Sequence, residues 1–462
     1  MNEHYDVVVV GGRVAGATLA AYVARSGMGV CVLERADFPS DTLSTHVFQY
    51  LEGFERLGVM EKLLATGAPP LTEFRLRVDD VDLTQDHPDL AMLNIRRPVL
   101  DPILLDNAAA AGADVALRTR VVGLLHDERR VTGVRIEDPE GRHSEIRARV
   151  VIGADGRNST VARLVGARRY NVTENERAGG VAYYEGVEPE GVFHLYIRGS
   201  TYFIGSSCDS GLFMASAYYN KADHRRFREP NGFEEGVATC PPFASMLKGA
   251  TMTGPPIFAS RWQGFFREPA GPGWALVGDA GHFKDPAPGQ GIADAVRQAE
   301  RLAEYVCYGI DTHTLRDQLA RWWRWRDHDA AEMYWWAREY GRAGVQSPVV
   351  VEMFRRLAAN PRTLRAAHAV AFHEARPFRV FSPVRASAAA ARLLARGGTP
   401  RGKVVADLVA LSTRDFQRRW RTHRPAYEEG PARDAQEEPE QVLQPGVERP
   451  DRPEPPRRVY PG

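Results

Sequence analysis

The stretch Tyr5-Asp6-Val7-Val8-Val9-Val10-Gly11-Gly12-Arg13-Val14-Ala15-Gly16 decides how the chain folds. Consecutive valines ending at glycine read as a strand buried on both faces, the pattern of a parallel sheet. The glycines let the backbone turn tightly into a helix of small residues that runs through Ala24. Such a helix start offers free N–H groups and the positive end of a dipole, a site for a pyrophosphate. After Gly27 a second apolar run, Val30-Cys31-Val32-Leu33, ends at Glu34-Arg35. An acid there is placed to accept hydrogen bonds from ribose hydroxyls. The stretch reads as a dinucleotide-binding βαβ unit, with Arg13 where the second glycine of the fingerprint belongs.

The 462 residues exceed one simple core, so two or three structural units are expected. A formal charge of +1 argues against a nucleic-acid polymer or a strongly acidic partner. Cys31, Cys208, Cys240 and Cys307 show neither a metal spacing nor a disulfide framework, as expected in a reducing cytoplasm. No signal peptide precedes the first strand, and no apolar run is long enough for a bilayer. A cytoplasmic location is the expectation.

Beyond Arg35, a helix is expected over Val47–Leu64, and strands over Thr72–Leu83 and Leu90–Ile95. Arg97-Pro98-Val99-Leu100-Asp101 opens a helix to Ala111. Val115–Leu125, Val131–Glu137 and Ser144–Ala148 read as a β-meander. A second special stretch, Val150-Val151-Ile152-Gly153-Ala154-Asp155-Gly156, is an apolar strand and a tight turn before a helix starting near Ser159. Alternating aromatic-rich strands between Gly179 and Tyr219 imply an antiparallel sheet with one face toward a cavity or solvent. A helix around Gly232–Leu247 and a strand around Pro256–Phe266 follow. The third special stretch runs from Gly273-Trp274-Ala275-Leu276-Val277 through Gly278-Asp279, His282, Lys284, Pro286, Pro288 and Gly289-Gln290-Gly291-Ile292 into a helix from Ala293 to about Tyr308. Helices are expected over Leu315–Tyr340, Val349–Ala358, Thr363–Phe372, Arg385–Leu394 and Val404–Leu411. From Pro425 the chain is dense in Pro, Glu and Arg and reads as disordered.

One glycine turn is a weak signal, but these three stretches together, in this order, are specific. From Tyr5 to Tyr340 the chain resembles the flavoprotein monooxygenases of the p-hydroxybenzoate hydroxylase fold and the wider superfamily of geranylgeranyl reductases and flavin halogenases. The resemblance implies an α/β fold: a Rossmann-like FAD-binding domain, an inserted antiparallel-sheet substrate domain and a C-terminal helical region. It divides the chain into an FAD-binding domain (1–71, 97–170 and 271–340), a substrate domain (72–96 and 171–270), C-terminal helices (341–424) and a tail (425–462). It implies FAD as cofactor and NAD(P)H as reductant. Gly11, Gly12, Arg13, Ala15 and Gly16 would surround the pyrophosphate, with Glu34 and Arg35 at the adenosine ribose. Arg97 would lie near the phosphates and ribityl chain, Val121 at adenine, and Asp155-Gly156 at FAD and NAD(P)H. Gly278-Asp279 would bind the ribityl hydroxyls, and Pro286, Gly289, Gln290, Gly291 and Ile292 would border the isoalloxazine.

Arg13 must either point away from the pyrophosphate or pair with a phosphate. Asp155 has a bland alternative, a helix-capping aspartate. His46 and His282 lie on stretches that approach the flavin, but loop or capping histidines are the plainer reading, as a solvated side chain is for Lys284. Trp323-Arg324-Trp325 lacks the Trp-x-Trp-x-Ile-Pro continuation of tryptophan halogenases. The expected activity is an FAD-dependent monooxygenase that uses O2 to hydroxylate or epoxidise an aromatic or polycyclic small molecule. The alternatives are a flavin-dependent reductase of prenyl double bonds, a halogenase, or a non-catalytic flavin-binding interaction protein. No catalytic side chain and no metal ligand stands out, and a homodimer is compatible with the sequence.

Overall fold

The computed structural model describes residues 2–42, 44–86 and 91–428. Most of the expected tail, 429–462, and Leu90 of an expected strand lie outside the described residues. His4–Val10 is the central strand of the first sheet. It pairs in parallel with Val30–Leu33 (Val7 opposite Val30) and with His143–Gly153 (Val7 opposite Val150). Trp274–Leu276 and Asp114–Ala116 extend the parallel array on either side. Strand residues alternate in direction. Val7 and Val9 therefore join the core under the helices Val14–Arg25, Arg97–Ala110 and Gly291–Asp311, whereas Val8 and Val10 pack with Val131, Val134 and Ile146 on the opposite face. The expected Ser144–Ala148 strand and the apolar run after it are one continuous strand, pairing with the meander at one end and with the parallel core at the other.

A second sheet combines Glu73–Val78 with Arg177–Glu185, Val192–Arg198, Thr201–Ser207 and Phe213–Asn220. Its strands are antiparallel except where Glu73–Val78 runs parallel to Val192–Arg198. Four expected elements divide. Val47–Leu64 is a short strand, Val47–Phe48, and two helices, Leu51–Leu57 and Met60–Leu64, because Gly58 ends the first helix at φ 75°. Thr72–Leu83 folds back on itself where Asp79 takes φ 51°, so Val78 pairs with Val81. Gly232–Leu247 is two helices, Gly232–Ala238 and Pro241–Met246, and Pro256–Phe266 is two strands, Ile257–Ala259 and Gln263–Arg267.

The C-terminal helices begin on a repeated signal. Ser347-Pro348, Asn360-Pro361 and Ser382-Pro383 each place a capping side chain before proline at the first helical position, and each cap accepts a backbone N–H. These helices pack around Val349, Met353, Val370, Ala389 and Val404, against Met333 of the helix Leu315–Tyr340. The last helix is Arg401–His423, far longer than the expected Val404–Leu411. Residues 425–428, expected in the disordered tail, are held: Tyr427 bridges Tyr170 and Glu428 pairs with Arg169 at 3.0 Å.

Trp322 is fully buried where the helix Leu315–Tyr340 meets the core of the parallel sheet, with its ring stacked on Trp325. Trp322→Ala should destabilise the protein by about 3–5 kcal/mol, read as a lower Tm or denaturant midpoint.

Candidate functional site

The three special stretches meet at the first turn. A Cβ on Gly16 would lie 1.8 Å from the Gly11 carbonyl oxygen, so the helix starts directly against the strand end. A Cβ on Gly11 would lie 2.5 Å from the Ala154 carbonyl oxygen, and one on Gly278 would lie 3.0 Å from the Ala15 Cβ. The first stretch thereby touches both others. Backbone N–H groups at the start of Val14–Arg25 lack helical partners, the feature that suits a helix start to an anion.

Arg13 caps this helix but turns aside. It donates to Asp101 at 2.8 Å and to Ser40 Oγ at 3.0 Å, and its guanidinium lies over the Phe38 ring. Asp101 is fully buried, and its other oxygen accepts from Arg97 at 2.7 Å. Arg13 is thus paired within the chain, as its first alternative requires. Glu34 is also engaged within the chain: its oxygens accept the Gly12 N–H at 2.7 Å and the Ala36 N–H at 2.9 Å. Each oxygen keeps a further lone pair for a ribose hydroxyl. Arg35 is exposed and Val121 half-buried on the strand Arg120–Asp127.

Asp155 does what its bland reading states. It accepts from Thr160 N at 2.6 Å, Val161 N at 3.2 Å and Ser159 Oγ at 2.5 Å, capping the helix Thr160–Leu164. Burial pushes its carboxyl up, against those hydrogen bonds. Gly156, at φ 79°, makes the adjoining turn. Asp279 contrasts with it. Its side chain forms no hydrogen bond to a described residue and is open to solvent, yet protein surrounds it closely on the other sides. That confinement pushes its carboxyl up to about 6; Arg97, Arg157 and Lys284 oppose the rise and Asp294 adds to it. An accessible carboxylate at the bottom of a crevice is a suitable acceptor for cofactor hydroxyls.

The loop after Asp279 is tied down from behind. Pro286 O accepts from Gly289 N at 2.9 Å, and Gly289 sits at φ 67°. Gly289 and Gly291 face open space where a Cβ would be, while Ile292 is buried in the core. Gly291 starts a helix of 21 residues, so its N-terminal dipole points into that space. Gln290 faces inward: its Nε2 donates to the carbonyls of Val370 (3.0 Å) and Ala371 (2.9 Å), and its Oε1 accepts from Lys284 at 2.6 Å. Lys284 is buried, not solvated, because Asp294 pairs with it at 2.6 Å. Burial lowers the Lys284 ammonium; Asp294 is held below the ordinary carboxylate range, its own burial outweighed by Lys284 and His373. His46 and His282 are both buried and pushed down to about 3 by desolvation, so they are neutral.

Beyond this loop lies a cavity of about 230 Å³, partly open to solvent. Pro286, Pro288 and Gly289 form one end with Thr45, Val47 and Gln49. Phe74, Leu76, Phe193, Leu195 and Ile204 of the second sheet form one wall, and Val349, Met353, Phe354 and Phe372 of the C-terminal helices the other. Sequence reasoning found the sheet wall but not the helical one. The only available signal was the run of capped amphipathic helices after Ser347, which does not say what they pack against. It also missed Asp101, Lys284 and Asp294 as a charged frame.

Residues 4–225 match the family model described as "FAD binding domain". The chain is 37% identical over 172 residues to digeranylgeranylglycerophospholipid reductase 2 of Methanothermobacter thermautotrophicus, covering 35% of this chain and 42% of that protein. It is 27% identical over 350 residues to the menaquinone reductase of Mycolicibacterium smegmatis, covering 67% of this chain and 78% of the relative. Among solved structures, the flavin-dependent brominase Bmp2 superposes with a TM-score of 0.71 at 18% identity, over 81% of this chain and 94% of the brominase.

Two outcomes follow from the site. Arg13→Gly should retain FAD, measured as flavin content after purification, while costing about 2 kcal/mol of stability through the lost charged hydrogen bond to Asp101. Asp279 binds a proton more readily folded than unfolded between its ordinary 3.8 and about 6, so it destabilises the apoprotein as pH rises through that window. Asp279→Asn should flatten that part of the Tm-against-pH profile and weaken FAD binding.

Proposed function

We propose, for a chain whose residues 4–225 match an FAD-binding domain and whose fold is shared with flavin-dependent halogenases, an FAD-dependent oxidoreductase acting on an extended, largely apolar substrate. The reaction proposed is reduction of a carbon–carbon double bond in a prenyl-like chain. One observation carries this reading: the cavity bordered by Pro286–Gly289 is lined mostly by aliphatic and aromatic side chains. Two relatives support it, since their names describe reductases of an isoprenoid lipid and of menaquinone. This departs from the expected aromatic hydroxylation, and NADH or NADPH as reductant stays part of the proposal.

The residues present fit FAD. The Val14–Arg25 helix start would hold the pyrophosphate, Glu34 the adenosine ribose, Asp279 the ribityl hydroxyls, and the Gly291 helix start the pyrimidine edge of the ring. Bound there, FAD supplies the electrons of the reaction. The protein's part is placement and shielding. Gln290 and Lys284 fix the loop that borders both the ring site and the cavity. The apolar walls exclude water and align the chain of the substrate. Gln49 Oε1, buried without a hydrogen-bond partner among the described residues, is an acceptor for a polar group arriving there.

A second reading, hydroxylation of an aromatic ring, is favoured by the rings of Phe74, Phe193 and Phe372, clustered with centroids 5.5 and 6.2 Å apart. The two separate by product. With reduced enzyme under strict anaerobiosis, a prenylated substrate should gain two hydrogens, read by mass spectrometry; a product formed only with O2 and heavier by one oxygen would overturn the reductase reading. Ile204→Trp, which narrows the cavity, should cut turnover of the long substrate about tenfold or more without loss of FAD.

A further inference from the structure

The helix Arg401–His423 carries an apolar stripe that nothing among the described residues covers. Val405, Val409, Phe416 and Trp420 fall within an arc of roughly 60° at 3.6 residues per turn. They are 52%, 59%, 67% and 48% exposed, and none joins a core cluster. The Phe416 and Trp420 rings stack with centroids 6.2 Å apart, and Arg424 covers Trp420 at 4.1 Å. Arg401, Lys403, Arg421 and Arg424 are exposed on the same helix and form no ion pair among the described residues. Indole and phenyl rings beside unpaired cations make up the surface of a helix that lies in a bilayer interface.

Two further observations connect this face to the cavity. A groove beside the stripe is lined by Trp335, Arg338, Arg342, Arg414, Phe416 and Arg421. In it, Trp335 Nε1 and Arg338 Nη1 are buried donors without a hydrogen-bond partner among the described residues. Groove and cavity share Glu339 and Arg418, which pair at 3.4 Å where the two spaces meet. Leu411 and Asp415 of the same helix line the cavity.

We propose that this face docks on a bilayer containing anionic phospholipid. Phe416 and Trp420 enter the interface, the free arginines meet headgroup phosphates, and the cavity opens to the bilayer at the Glu339–Arg418 end. Docking follows from the surface alone; passage of an apolar substrate from bilayer to cavity rests on the prenyl-reductase reading above. The unpaired cations favour a phospholipid surface over an uncharged apolar partner, because each gains favourable free energy only against negative charge.

The test is co-sedimentation of the full-length FAD-loaded protein with phosphatidylcholine vesicles, with and without phosphatidylglycerol. Binding is expected only or mainly with phosphatidylglycerol, falling about fivefold for each of Lys403→Gln and Arg421→Gln. Phe416→Ser with Trp420→Ser should lower the bound fraction about tenfold or more while flavin content and turnover in detergent stay unchanged. No binding to anionic vesicles, binding unchanged in the double variant, or a dimer that the double variant breaks without any vesicle binding would each overturn the proposal. Vesicle binding needs no turnover, so it is separable from the substrate reading, which the anaerobic product decides in detergent.

Discussion

Lys284, Gln290 and Asp294 form the knot on which the site depends. Lys284 pairs with Asp294 and donates to Gln290, whose amide nitrogen holds two carbonyls at the end of the helix Pro361–Ala371. Burying an ammonium and a carboxylate costs more in desolvation than an apolar pair of the same shape, so the pair is retained for what it specifies. Here it fixes the loop Pro286–Gly289 between two spaces. On one side are the glycine turn, Asp279 and the start of the long helix; on the other is the apolar cavity. The knot adds a polar tie to the packing that already holds the C-terminal helices against Met333.

A second buried carboxylate works similarly at the other end. Asp101 gathers Arg13 and Arg97, which lie far apart in the chain, and joins the start of Val14–Arg25 to the start of Arg97–Ala110. The arginine that breaks the glycine fingerprint is thereby neutralised within the protein. The two frames have a common logic: charges that the chain neutralises itself leave backbone amides and one accessible carboxylate, Asp279, for a ligand.

Much of the nucleotide half was legible in the sequence, because its determinants are local. Val7–Val10, the close contact of Gly16 with Gly11, and the turn before Asp279 are set by residues a few positions apart. The Arg97–Ala110 helix was legible from its proline start and its glycine stop. What was not legible depends on distant partners. Lys284 reads as a surface lysine until Asp294, one helical turn into the next element, folds over it. Asp155 was legible in both its readings, and only the positions of Thr160 N and Val161 N show it capping a helix. The cavity was the least legible feature. Phe74, Ile204, Gly289 and Met353 come from four separated segments, and each alone is an ordinary apolar or turn residue.

In the proposed reaction a flavin ring and a long apolar ligand meet beside the Pro286–Gly289 loop. A crystal structure of the FAD complex with a prenylated ligand tests it most directly. The ring should lie against Gly289–Ile292, with ligand density running from that loop past Ile204 toward Met353. Ligand density confined to another surface, or a ring placed away from Gly291, would contradict it.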